Sequence, residues 1–189
     1  MPTAITVEDG TGIATANSYI TQAEADTYLD DRLNSAGWDA ASSDNQIRAL
    51  LQATKLLDAL YDWNGYKTNA GQALQWPRYD VDDPDSGDSV FPRIAFRRGD
   101  WLDENTIHPF LKDAQAELAL ALLGSAGTGA DRLKDPDGEG ISRFKLDGVL
   151  EVTFDQNTKK PPFPQHVTDW LAKYGRPLFG SGSVKMMRG

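Results

Sequence analysis

The chain of 189 residues contains no cysteine, which rules out disulfides, thiolate metal sites and cysteine nucleophiles. His108 and His166 are the whole supply of imidazole. Neither has a second histidine or a carboxylate at a recognised ligand spacing, so capping or surface roles fit both better than catalysis. No apolar run reaches the length of a bilayer span, and Met1-Pro2-Thr3-Ala4-Ile5 lacks the regions of a signal peptide. The expectation is synthesis in a cytoplasm with no membrane partner. No Gly-Lys-Ser phosphate loop, Gly-x-Ser-x-Gly elbow or dinucleotide glycine fingerprint occurs. With no catalytic residue, metal site or cofactor motif to support it, the chain is not expected to be an enzyme.

Cations are also scarce, with 19 Lys and Arg against 28 Asp and Glu. The net charge of −9 becomes −12 once the three cations of 176–189, Arg176, Lys185 and Arg188, are left out. A body this acidic repels phosphate backbones, because nucleic-acid binding draws on clustered Lys and Arg that release counterions. The five tryptophans, Trp38, Trp63, Trp76, Trp101 and Trp170, are a stacking resource in a single-strand binder. Here four of them neighbour Asp39, Asp62, Asp100 and Asp169, which favours packing in a core or an interface. The aspartates around position 80 do not form a calcium loop. Asp135-Pro136-Asp137-Gly138-Glu139-Gly140 places acids at loop positions one, three and five, but position twelve is Leu146 where a bidentate Glu is needed.

What the chain does have is a helical pattern with long interruptions. Residues 1–20 read as an extended N-terminal arm punctuated by Gly10 and Gly12. Residues 21–124 read as a helical core. Thr21 with Glu24 is a capping-box pair that opens a helix carrying Ala25, Tyr28, Leu29 and Leu33 to a stop near Gly37. Ser43 with Gln46 opens a second, with Ile47, Leu50, Leu51, Thr54, Leu57 and Tyr61 on one face and a stop at Gly65. Pro109 suits the first turn of a third, whose stripe is Phe110, Leu111, Ala114, Leu118 and Leu122 before Gly124.

Between the second and third helices lies a long loop, 66–105, with no lasting period. A loop of that length inside a compact domain implies a task, as an ordered binding loop or an arm that meets a neighbour. It contains Gly71-Gln72-Ala73-Leu74-Gln75-Trp76-Pro77-Arg78, which reads as an anchor built on Gln72, Trp76, Pro77 and Arg78. Trp76 buries a large apolar area, Pro77 favours extended backbone before it, and Arg78 offers a planar donor fork. Phe91-Pro92-Arg93 repeats the aromatic-proline-arginine order.

Residues 125–175 read as a connector, a β-hairpin and a short helix. Asp147-Gly148 between 143–146 and 149–154 is a strong hairpin signal. A lone hairpin is marginal in water, so its apolar residues Phe144, Leu146, Val149, Val152 and Phe154 are candidates for a subunit interface. Val167, Trp170, Leu171 and Tyr174 form a short helix that stops at Gly175. Residues 176–189 form a tail of flexible composition. Its Val184, Lys185, Met186, Met187 and Arg188 are apolar and basic, suited to insertion into a partner. The fold class expected is mainly α: a small bundle of three core helices plus a short C-terminal helix, with a β-hairpin and long extended arms.

Several stretches together resemble the small head-to-tail adaptor (connector) proteins of tailed bacteriophages, a family also catalogued as DnaT-like single-stranded-DNA-binding proteins. The resemblance is carried by 7–20, by Ala23-Glu24-Ala25-Asp26-Thr27-Tyr28, by Ala49 to Asp58, by 71–78 and by Ala114-Gln115-Ala116-Glu117-Leu118-Ala119. It implies a mostly helical subunit of a twelve-fold ring in the virion neck, between the portal protein and the tail or tail-completion proteins. It also implies that the C-terminal segment reaches the portal and that the loops and hairpin contact neighbouring copies. An acidic lumen would let DNA pass without specific binding. The alternative is a single-stranded-DNA-binding replication accessory, which requires salt-sensitive oligonucleotide binding.

Overall fold

The computed structural model describes residues 4–84, 101–124, 143–146, 150–153 and 163–178, with the two short strand segments 143–146 and 150–153 described in their backbone alone. The elements in chain order are α1 (Gln22–Asp30), α2 (Ala36–Asp39), α3 (Ser43–Leu60), β1 (Tyr61–Trp63), β2 (Tyr66–Lys67), β3 (Arg78–Tyr79), α4 (Pro109–Leu123), β4 (Arg143–Leu146), β5 (Leu150–Thr153), α5 (Gln165–Leu171) and β6 (Gly175–Pro177). The protein is mainly helical, as its periodicity predicts.

The caps explain where the helices begin. Thr21 and Glu24 form the complete capping box at α1, with Thr21 Oγ1 accepting from the Glu24 N–H and the Glu24 carboxylate accepting from the Thr21 N–H. For α3 the cap is Ser42, one residue earlier than the pattern suggests, its hydroxyl accepting from the Asn45 N–H. Pro109 occupies the first turn of α4, and the N–H of Gly124 closes its end on the Leu120 carbonyl.

The helix ends depart from the sequence reading. The first helix stops at Asp30, and a separate single turn, α2, seats the buried Trp38, whose indole N–H donates to Asp26. Leu33, expected on the buried stripe, is 85% exposed. The chain leaves α3 at Tyr61, which enters strand β1 and not a last helical turn. Tyr61 and Trp63 both point inward from that strand because alternate residues share a face. β1 pairs antiparallel with β6, Tyr61 opposite Pro177 and Trp63 opposite Gly175. Arg176 and Pro177, read from sequence as the start of the tail, therefore belong to the folded body.

The core is built around α4, which packs on α3 most extensively and also on α1, α2 and α5. Ala114, Ala116 and Ala119 allow that close approach, and Leu111, Leu118 and Val167 are fully buried about it. Within α4, Gln115 is buried and fully employed. Its carbonyl accepts from the Tyr19 N–H at 2.9 Å, and its amide donates to Ser18 Oγ at 2.7 Å and to the Leu50 carbonyl at 3.2 Å. One side chain thus joins the N-terminal arm, α3 and α4. The arm folds back on itself through a bridge between Val7 and Ser18, and its Tyr19 and Ile20 are buried in the core.

Within 66–105, β2 and β3 pair antiparallel with Tyr66 opposite Tyr79, and a bridge joins Asp82 to Trp101. Phe91-Pro92-Arg93, the Asp135 to Gly140 acids and the tail 179–189 lie outside the described residues, as do Val149 and Phe154. The hairpin predicted from Asp147-Gly148 is present as β4 and β5, in the register Arg143↔Thr153, Phe144↔Val152, Lys145↔Glu151 and Leu146↔Leu150.

Candidate functional site

The anchor predicted at Gln72, Trp76, Pro77 and Arg78 lies at the centre of the fold; the side chains of Gln72 and Arg78 are bonded by the chain itself, while the Trp76 indole N–H is buried without a hydrogen-bond partner. Trp76 is fully buried, joined to Pro77 by a cis peptide bond, and makes edge-on contacts with Trp63, His108 and Phe110 at centroid distances of 5.5 to 5.9 Å. Buried Gln72 accepts from the Asn69 N–H and Thr68 Oγ1 and donates to the carbonyls of Leu74 and Pro77 at 3.0 Å each. The Arg78 guanidinium donates to the carbonyls of Gly65 at 2.6 Å, Asn64 at 2.7 Å, Gln75 at 3.2 Å and Trp63 at 3.3 Å, and to Gln75 Oε1. Only a planar fork reaches so many acceptors at once. Arg78 clasps the turn after β1 to the loop before β3.

The buried Tyr19 and the partly buried Asp58, both outside the predicted set, complete this arrangement. Asp58 accepts from Tyr19 Oη and from the Gln75 N–H at 3.0 Å, while Tyr19 Oη accepts from the Trp76 N–H at 3.3 Å. Burial lifts the Asp58 carboxyl to about 6, against the pull of Tyr19, the Gln75 N–H, Lys67 and Arg78. Burial, with the Asp58 charge beside it, also drives the Tyr19 hydroxyl well above its ordinary value. Glu8, 1% exposed, accepts from the N–H groups of Gly10, Gly12 and Ile13 and so fixes the glycine loop of the arm. Sequence carried a signal for Asp58 and Gln115, since each falls four residues after a stripe position, Thr54 and Leu111. A polar residue on an apolar stripe marks a buried hydrogen-bonding post.

Between the arm and the sheet lies an open groove of about 420 Å³, lined by Gly10, Thr11, Thr68, Asn69, Tyr79, Glu104 and Asn105. Its lining is polar, with one carboxylate and no cation. No group of three or more metal-ligating side chains occurs among the described residues. The structure brings no nucleophile and base together there, and His108 packs flat on Phe110 with its Nε2 at 3.0 Å from the Asp103 carbonyl.

A second surface joins three helices. Glu117 of α4, 4% exposed, pairs with the Arg32 Nε that follows α1, lies 3.1 Å from His166 Nε2 of α5 and accepts from Tyr28 Oη at 3.2 Å. Arg32 also donates to the Leu33 carbonyl, and His166 sets its ring edge-on against Trp170 at 5.3 Å. Leu33 and Trp170, 85% and 43% exposed, flank this ion-pair cluster.

Among the described residues the geometry supplies little for nucleic acid. Trp38, Trp63 and Trp76 are buried, leaving Trp101 and Trp170 as exposed indoles. Several cations are already engaged: Arg32 on Glu117, Lys112 on Glu24, Arg48 on Asp44, Arg176 on Asp62, and Arg78 inside the fold.

Comparison with known proteins returns one family and no individual relatives: no curated protein and no solved structure matches the chain. The model of the family described as "Putative DnaT-like ssDNA binding protein" matches residues 3–189, so the chain belongs to that family.

Proposed function

We infer that the protein is a structural component, a head-to-tail adaptor of a tailed bacteriophage, forming a ring between the portal and the tail or tail-completion proteins and carrying no catalytic activity. The observation that carries this reading is the β4–β5 hairpin. Its register places Phe144, Leu146, Leu150 and Val152 on one face. A two-stranded sheet with one apolar face needs a covering layer, and a ring of copies supplies one. The acidity supports the same reading, because a lumen lined with carboxylates repels DNA along its path. Twelve copies, a place in the virion neck, and docking of Val184, Lys185, Met186, Met187 and Arg188 on the portal extend the reading. The test is removal of 184–189: binding to purified portal should be lost with the melting temperature unchanged, and undiminished binding would refute that role for the tail.

The second reading is single-stranded DNA binding, which the family description favours and for which Trp101 and Trp170 are the available stacking surfaces. It requires an oligonucleotide complex at low salt that weakens steeply as salt rises and quenches tryptophan fluorescence. Such a complex at micromolar protein would replace the adaptor reading.

A further inference from the structure

We propose that the surface formed by Leu33, Arg32, His166 and Trp170 over the Glu117 carboxylate is the seat for the β4–β5 hairpin of a neighbouring copy. This rests on the assembly reading in supposing that copies meet, and adds which two surfaces do so.

The receiving side has the make-up of an interface centre. A tryptophan and a leucine stand exposed, at 43% and 85%, on either side of an arginine. Trp and Arg dominate the energetics of protein contacts, and large exposed apolar side chains flanking a fixed polar cluster are suited to burial. The cluster is preorganised: Glu117 holds Arg32 from one side and His166 from the other, and His166 in turn holds the Trp170 ring. Arg32, His166 and Trp170 therefore have little rotamer freedom to lose on binding, which lowers the cost of association. Glu117 is met by Arg32 within the seat, so covering it leaves that buried carboxylate paired, while Asp113 adds a second acid beside it.

The occupant is indicated by the hairpin. Antiparallel register alternates its residues strictly, giving Phe144, Leu146, Leu150 and Val152 on one face and Arg143, Lys145, Glu151 and Thr153 on the other. The length of chain around it gives the reach. Eighteen residues, 125–142, separate the hairpin from the end of α4 at Gly124, and nine, 154–162, separate it from Phe163. At about 3.3 Å per residue the shorter tether spans at most about 30 Å, enough to pass from one copy of this size to the next. A hairpin of one copy seated on the helices of another is a head-to-tail contact, the kind that closes into a ring.

The absence of cysteine makes the test direct. Leu33→Cys chains are mixed with Phe144→Cys chains and treated with a short bis-maleimide, and Lys145→Cys, on the opposite hairpin face, is the control. Strong hetero-cross-linking of Leu33→Cys with Phe144→Cys and at least fivefold less with Lys145→Cys is expected, and the Trp170→Glu substitution on the Leu33→Cys chain should abolish it. The double variant Leu33→Cys/Phe144→Cys should give a ladder of multimers. Cross-linking confined within single chains, equal yields from both hairpin faces, or none at all in free protein and in portal-bound protein overturns the proposal. Portal docking without the cross-link removes this surface alone. The cross-link without portal docking removes the adaptor reading and leaves the surface standing.

Discussion

Replacing Asp58 by asparagine should make the protein relatively more stable as pH rises, because Asp58 is a partly buried acid whose ionisation the fold resists. Its carboxyl is lifted by burial from 3.8 to about 6, and the hydrogen bonds from Tyr19 Oη and the Gln75 N–H offset only part of that. A folded-state value above the unfolded one means that the native state holds the proton more tightly. The stability this gives is fully present below about pH 4 and is lost as pH climbs through about 6. At 1.36 kcal/mol per pH unit of difference, the loss approaches about 3 kcal/mol by pH 7. The substituted amide cannot ionise, keeps an acceptor of nearly the same shape, and leaves Tyr19 free to turn its hydroxyl. Urea unfolding of both proteins at half-unit steps from pH 4 to pH 8 measures the difference directly, since every other titrating group cancels between them. The stability of the Asp58→Asn variant minus that of the native protein should rise by about 2–3 kcal/mol across the range, most steeply near about pH 5. A flat difference, or one that falls with pH, would show that Tyr19 and Gln75 stabilise the carboxylate more than burial destabilises it, and the account of this site would be wrong.

Gly10 has φ +103, and a Cβ there would sit 2.0 Å from the Asn105 carbonyl oxygen, so Gly10→Ala should cost more than about 2 kcal/mol and lower the melting temperature of the whole domain. Arg78→Lys keeps the charge but loses the fork. It should destabilise by about 2–4 kcal/mol in chemical denaturation, and a cost under about 0.5 kcal/mol would mean that water replaces its hydrogen bonds freely. Gln115→Leu fills the same space but strips partners from the Tyr19 N–H, Ser18 Oγ and the Leu50 carbonyl. A loss of about 3 kcal/mol is expected, with amide exchange of Tyr19 among the most accelerated.

The helices were legible because their signals are local: Thr21 with Glu24, Pro109, and the stripe of α3 lie within a turn or two of the residues they organise. The ends were less so. Leu33 fits the α1 period, yet the chain turns away at Asp30 to set Trp38 beneath α4, a contact that no spacing encodes. Tyr61 also fits the α3 period, but its ring stacks on Trp63 at 5.0 Å and on Phe163 at 5.5 Å, and those partners meet it only through β1 and the approach to α5. The pairing of β1 with β6 joins residues more than a hundred positions apart, so Arg176 and Pro177 looked like tail. The anchor was visible as a bulky aromatic before proline and arginine, while its cis bond and its bond partners were not. At the candidate surface, neither Arg32 nor His166 has a sequence neighbour that reveals Glu117; helix packing alone brings α1, α4 and α5 to one carboxylate.

The stretches most distinctive in sequence do internal work. Glu8 closes on the N–H groups of Gly10, Gly12 and Ile13, and 71–78 is spent on Trp76 packing and on the Arg78 clasp. Motifs consumed in this way define a fold and give no direct indication of a ligand, so a function must be sought in what the fold leaves unspent. Among the described residues that remainder is acidic surface, an open polar groove without a cation, the Leu33 and Trp170 pair, and a hairpin with one apolar face. Strong single-strand binding draws on cations released from counterions, about one per phosphate engaged, and Arg32, Arg48, Lys112 and Arg176 already face carboxylates of this chain. Recruiting them for phosphate would break ion pairs, the Glu117 pair being the most costly because that carboxylate would stay buried without its cation. Apolar contact between copies makes no such demand. Among the described residues, the unspent chemistry is therefore better suited to the proposed assembly than to phosphate capture.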